Sequence, residues 1–64
     1  MEGFTETREG YVHDATGICL VMHGPVGRWG AYRVRESGLK SWLVKPRFKA
    51  VDNLVKRLRA RGRI

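Results

Sequence analysis

The apolar residues of this chain change their period once, near Pro46, and that switch divides the fold into two parts. Beyond it, Phe48, Val51, Leu54, Val55 and Leu58 follow one another at spacings of 3, 3, 1 and 3. With about 3.6 residues per helical turn these positions share one face, so the spacing predicts an amphipathic helix. Pro46 is placed at its first position, where a missing N–H costs nothing, and Gly62 at its stop. Ahead of Pro46 the apolar groups come in short runs cut by turn residues, which is how β-strands read. Strands are expected over 9–13, 18–23, 28–36 and 40–45. Asp14-Ala15-Thr16-Gly17, Gly24-Pro25-Val26-Gly27 and Ser37-Gly38 supply the turns, since Asp bonds the following backbone and Pro25 has no N–H to donate to a ladder. Residues 1–8 show no period and read as a flexible arm. The predicted fold is α+β: a three- or four-stranded antiparallel meander with one C-terminal amphipathic helix packed on one face. It forms a single domain over 9–61, followed by a basic tail at 62–64.

Size limits what such a domain does. At 64 residues the chain lies near the lower limit for a core that folds without a metal or disulfide. It leaves little room for an enclosed pocket of about 300 Å³ or more, except at an interface between copies, so a non-enzymatic role is expected. The 42% apolar fraction, with Phe4, Tyr11, Trp29, Tyr32, Trp42 and Phe48, is that of a folded chain. Cys19 is the only cysteine, so no internal disulfide forms, and within Ile18-Cys19-Leu20-Val21-Met22 it reads as a small buried hydrophobe. The lack of a disulfide framework suits a cytoplasmic or nucleoid-associated setting. No run is long and apolar enough to span a membrane, and the acidic start Met1-Glu2-Gly3-Phe4 is unlike a secretory signal.

Catalytic and metal patterns are not found. His13, Asp14, Cys19 and His23 match no common zinc spacing. Ser37 and Ser41 lack a His–Asp context, and Gly24, Gly27 and Gly30 are spaced as turn glycines with no helix after them. No cofactor and no metal are expected.

Charge carries the functional signal. Residues 1–17 hold Arg8 against Glu2, Glu6, Glu9 and Asp14, a net −3, whereas residues 18–64 hold twelve Lys and Arg against Glu36 and Asp52, a net +10. The total of +7 repels itself in the compact state, and an anionic partner relieves it. Nucleic acid is the expected partner, with an acidic protein surface as the alternative. Membrane binding is disfavoured because the helix spends its apolar stripe on the core.

Alternation sorts the strand residues onto two faces and leaves two facings open. In the first, Tyr32, Val34 and Leu43 meet the helix, and Trp29, Arg33, Arg35, Lys40 and Trp42 form a basic, aromatic exposed face. In the second, Trp29, Trp42 and Val44 lie under the helix and the arginines snorkel outward. Two arginines at alternate strand positions resist burial, which favours the first facing. Arg47, Lys49, Lys56, Arg57 and Arg59 avoid the apolar stripe of the helix, and Arg57, Arg59, Arg61 and Arg63 crowd its last turn and tail. The expected contact set is Arg28, Trp29, Arg33, Arg35, Lys40, Trp42 and Lys45 on the strands, with Arg57, Arg59 and Arg61 on the helix.

The stretch Gly27-Arg28-Trp29-Gly30-Ala31-Tyr32-Arg33-Val34-Arg35, then Lys40-Ser41-Trp42-Leu43 and the helix, resembles the ethylene-response-factor type of DNA-binding domain and the related arm-binding domains of integrases. The resemblance covers about residues 18–60. It implies a three-stranded sheet lying in the major groove of duplex DNA, with Arg33, Arg35, Lys40 and Trp42 as groove contacts. The chain departs from that pattern in Ile18-Cys19-Leu20-Val21-Met22, which lacks arginines, and in its Gly-Pro-Val-Gly turn. A small barrel closed by a terminal helix, as in chromatin-binding modules, fits the same strand count. The leading expectation is a double-stranded DNA-binding regulator or accessory recombination factor using the exposed sheet face. The alternatives are an RNA-binding protein using the arginine-rich C-terminal helix, and a small protein-binding inhibitor or adaptor of the kind mobile elements encode, presenting its acidic arm and exposed tryptophans.

Overall fold

The computed structural model describes all 64 residues. Five strands, β1 (Phe4–Glu6), β2 (Gly10–His13), β3 (Cys19–His23), β4 (Arg28–Val34) and β5 (Lys40–Phe48), precede one helix, α1 (Val51–Ala60). The strands form one antiparallel sheet in the order β1-β2-β3-β4-β5, so β1 and β5 are its edges. The meander-plus-helix reading holds, with one strand more than expected. β1 is that strand: Phe4 pairs with His13 and Glu6 with Tyr11, so residues 4–6 are tied to the sheet rather than forming a loose arm. Phe4 packs against the core, and its ring centroid lies 4.9 Å from that of His13.

The core lies between α1 and one sheet face. Ile18, Leu20 and Ala31 meet Leu54, Val55 and Leu58, ringed by half-buried Tyr11, Trp29, Leu43, Val44, Phe48 and Val51. Leu54, Val55 and Leu58 are the helix residues that the spacing placed inward, and all three are buried.

Pro46 stands in the middle of β5, not at the start of α1. The strand tolerates it because the pairing is broken here and position 46 has no cross-strand partner to lose. The register explains the rest. Trp29 pairs with Phe48, Ala31 with Val44 and Tyr32 with Trp42, with irregularities between these pairs. Over Gly30, β5 therefore carries extra residues and arches across the sheet. A Cβ at Gly30 would lie 2.7 Å from Pro46 N and 2.9 Å from Val44 O, so only glycine admits that crossing. The arch extends β5 to Phe48, and α1 starts at Val51 after an extended Ala50 without a side-chain cap.

Gly62 ends the helix as predicted. Its φ is 69°. The N–H of Arg63 donates to Leu58 O at 2.9 Å and that of Gly62 to Arg59 O at 3.0 Å, the paired bonds of a Schellman motif. The turn brings Ile64 back onto the core.

The sheet face opposite α1 is not bare, as expected, but partly closed. Val21 is 6% and Tyr32 8% exposed, with the arch of β5 on one side and the 7–9 loop bordering Val21 and Tyr32 on the other. No helix is long and apolar enough to cross a membrane.

Candidate nucleic-acid interface

The two tryptophans part company. Cross-strand pairs share a face, so Tyr32↔Trp42 puts Trp42 beside Tyr32, while Met22↔Trp29 puts Trp29 with Leu20 and Ala31 on the helix side. The expected basic, aromatic face with both indoles on it does not form. Trp29 is half-buried and stacks on Tyr11, centroids 6.0 Å apart and planes at 28°. Trp42 is 38% exposed. Its ring meets Tyr32 edge-on at 5.5 Å and lies 6.0 Å from His23. Lys40 Nζ lies 4.8 Å from the Tyr32 ring centroid. Burial, with Cys19 beside it, raises the Tyr32 phenol above its ordinary 10.0.

Arg28, Trp42, Lys45 and Pro46 border a shallow cavity with His23, Pro25 and Val26. Arg33 and Arg35 stand elsewhere. Both are exposed, Arg33 on the Ala31 side of β4 and Arg35 past its end. The Arg35 N–H donates to Leu39 O at 2.8 Å, so Arg35 helps close the β4–β5 turn. Arg59 lies by Met1, Glu2 and Asp52, on another side of α1.

A different cluster takes shape between β5 and the C-terminal end of α1. Lys45, Arg47, Arg57, Arg61 and Arg63 line one cavity of 330 Å³, with Leu43, Val44 and Leu58 as its apolar part and no carboxylate among its residues. Lys45, Arg57 and Arg61 belonged to the expected contact set; Arg47 and Arg63 did not. Arg47 was hidden by the placement of Pro46 in a helix. Read as an edge strand, 45–48 gives exposed Lys45 and Arg47 with half-buried Pro46 and Phe48 between and after them, and exposed Lys49 follows in a bend. Arg63 reaches the cleft only because Gly62 turns the chain back.

The cations of this cleft are held but not consumed. The guanidinium carbons of Arg47 and Arg57 lie 5.5 Å and 5.6 Å from the Phe48 ring centroid, which fixes both side chains against one aromatic group. Arginines at a helix end commonly bind the last carbonyls. Here the backbone N–H groups of Arg61, Gly62 and Arg63 do that, to Arg57, Arg59 and Leu58. The side-chain hydrogen bonds of the molecule all involve residues 5–19 and include no lysine or arginine. Five cations facing one concavity focus a positive potential there, larger than the partial negative charge of about −0.5 at a helix C-terminus. No protein-family model, curated protein or solved structure matches this chain.

Proposed function

We propose that this chain is a nucleic-acid-binding protein without enzymatic activity, and that its phosphate contacts lie in the β5–α1 cleft and along the neighbouring edge strand. One observation carries this: five cations from sequence-distant elements converge on one cleft that holds no carboxylate. Guanidiniums suit phosphate because their planar fork gives two parallel N–H donors. Lys45 and Arg47 stand two residues apart on the exposed edge strand, and Lys49 follows in the bend after it, so a nucleic-acid backbone running along this edge meets cations in succession. Trp42 stands on the far side of Lys45 with its ring accessible and offers a base a stacking surface. Together these favour a single strand, RNA or DNA, passing over the β5 edge. The arginine-rich helix thus contributes Arg57 and Arg61, but only in partnership with β5.

Duplex DNA is the second reading. It is favoured by Arg33, Arg35 and Lys40, all exposed around the β4–β5 turn. The resemblance to groove-binding sheet domains implies the same three residues and Trp42 as groove contacts.

Titration of labelled single-stranded DNA, RNA and duplex DNA at low and high salt separates these. Five phosphate contacts to a single strand predict a slope of log affinity against log salt of about −3.5. Tryptophan fluorescence should be quenched on binding, and the quenching lost in Trp42→Phe. Preference for duplex, weakened by Arg33→Ala and Arg35→Ala, selects the second reading. Absence of binding to all three polymers at low salt sinks the proposal.

A further inference from the structure

The edge strand and the cleft share Lys45 and Arg47 but are different kinds of basic surface. An edge row of alternating cations suits a running backbone, where each internal phosphodiester carries one negative charge. The cleft gathers five cations around 330 Å³, near the lower end of small-molecule sites of about 300–1,000 Å³ and far too small for a duplex. One diester leaves most of that charge uncompensated. A phosphate monoester near neutral pH carries up to two charges and three terminal oxygens, and a polyphosphate carries more. From this mismatch we infer that the β5–α1 cleft is a site for a terminal phosphate monoester or compact polyphosphate: the phosphorylated end of a nucleic-acid strand or a free nucleotide. This deepens the nucleic-acid reading and rests on it for the strand, though not for the anion.

The arrangement fits that ligand. Arg47 and Arg57 are positioned by Phe48 on one side, and Arg61 and Arg63 by the Gly62 turn on the other. Charge is therefore presented from a strand and from a helix end at once, the geometry that surrounds a tetrahedral anion instead of grazing it. Little reorganisation of the backbone is needed, because the helix carbonyls already have their partners. The apolar surface of Leu43, Val44 and Leu58 offers a sugar face a place to lie beside the phosphate. Lys45 lines both this cleft and the Trp42 cavity, so a terminal nucleotide could place its phosphate in one and its base toward the other.

The test uses the full chain and a labelled 12-mer single strand carrying a 5′-phosphate, a 3′-phosphate or hydroxyls at both ends, with inorganic tripolyphosphate and free nucleoside triphosphate as competitors. One phosphorylated end should bind about tenfold more tightly than the hydroxyl strand, one added charge-assisted contact being worth about that factor. The advantage should vanish in the Arg57→Gln/Arg61→Gln variant and persist in Arg8→Gln/Lys56→Gln, which removes equal charge outside both surfaces. Competition by the nucleoside triphosphate but not by tripolyphosphate identifies a nucleotide, and equal competition identifies the bare anion. Equal binding of all three strands, with neither competitor acting, overturns the inference and leaves general nucleic-acid binding intact. Binding of tripolyphosphate that the double variant abolishes, with no strand bound at all, supports the anion site and removes the nucleic-acid reading.

Discussion

The two ends of the sheet treat their polar groups in opposite ways. At the β1–β3 end, Thr5 Oγ1 donates to Asp14 Oδ1 at 2.6 Å, Thr7 Oγ1 accepts the Gly10 N–H at 3.2 Å, and Thr16 Oγ1 accepts the Ile18 N–H at 3.3 Å while lying 2.8 Å from His13 Nδ1. Each pins a turn or a strand pairing. At the β5–α1 end, residues 40–64 carry nine Lys and Arg against Asp52. None of them makes a side-chain hydrogen bond within the molecule, and even the start of α1 at Ala50 lacks a side-chain cap. The acidic end uses its polar groups to build the fold. The basic end builds its fold from Leu54, Leu58 and Phe48 and leaves its charge available. Unpaired like charges of this kind lower stability by mutual repulsion, which a bound anion would relieve.

That contrast breaks most visibly if the cleft arginines turn out to be structural. Replacing Arg57 and Arg61 by Gln together should lower affinity for a single strand about 100-fold, two charge-assisted contacts worth about tenfold each. The melting temperature should stay within a few degrees or rise, because repulsion among the five cations falls. A drop of ten degrees in thermal unfolding would show that the guanidiniums support the fold. The complementary change is Asp14→Ala. It removes the acceptor of the Thr5 hydroxyl and should cost about 0.5–1 kcal/mol in urea unfolding, because the pair is exposed. Affinity should stay within about twofold, since the lost acid lies at the other edge of the sheet. A tenfold change in binding would mean the acidic end takes part in recognition.

Much of this architecture could be read from the sequence because it depends on local rules. The change of period near Pro46 located the helix, the 3.6-residue spacing selected Leu54, Val55 and Leu58, and Gly62 marked the stop. β1 escaped because it has three residues and one apolar group, and only its pairing with β2 makes it a strand. The faces escaped for a nonlocal reason. A register offset by one residue moves every side chain to the opposite side, and Tyr32 pairs with Trp42 where the expected facing had set it beside Leu43. The irregularity that follows then separates Trp42 from Val44, which strict alternation had kept together. Pro46 suits a helix start and an edge-strand arch equally well, and the choice depends on Gly30, a strand away. Arg47 and Arg63 entered the cleft through those same long-range features, so the charge was legible while its convergence was not.

The buried face of the sheet offers the smallest and sharpest test. Tyr32 belongs to the basic half by sequence, yet it is built in like a core residue: it is 8% exposed and pairs with Cys19 across the strand. Burial first, and Cys19 second, raise its phenol above the ordinary 10.0. The folded state therefore holds the phenolic proton more tightly than the unfolded chain does. Below pH 10 the phenol is neutral in both states and its contribution is constant. Above pH 10 the unfolded chain gives up that proton first and is lowered in free energy relative to the folded state, so stability is lost progressively as pH rises through the folded-state value. Tyr32→Phe removes this linkage and leaves every other ionisable side chain in place. Urea unfolding from pH 8 to 11 should show the wild type losing stability faster than the variant above pH 10, the difference between them being flat below it. Parallel curves throughout would mean that the phenol is solvated in the folded state and that the arch of β5 does not close over this face.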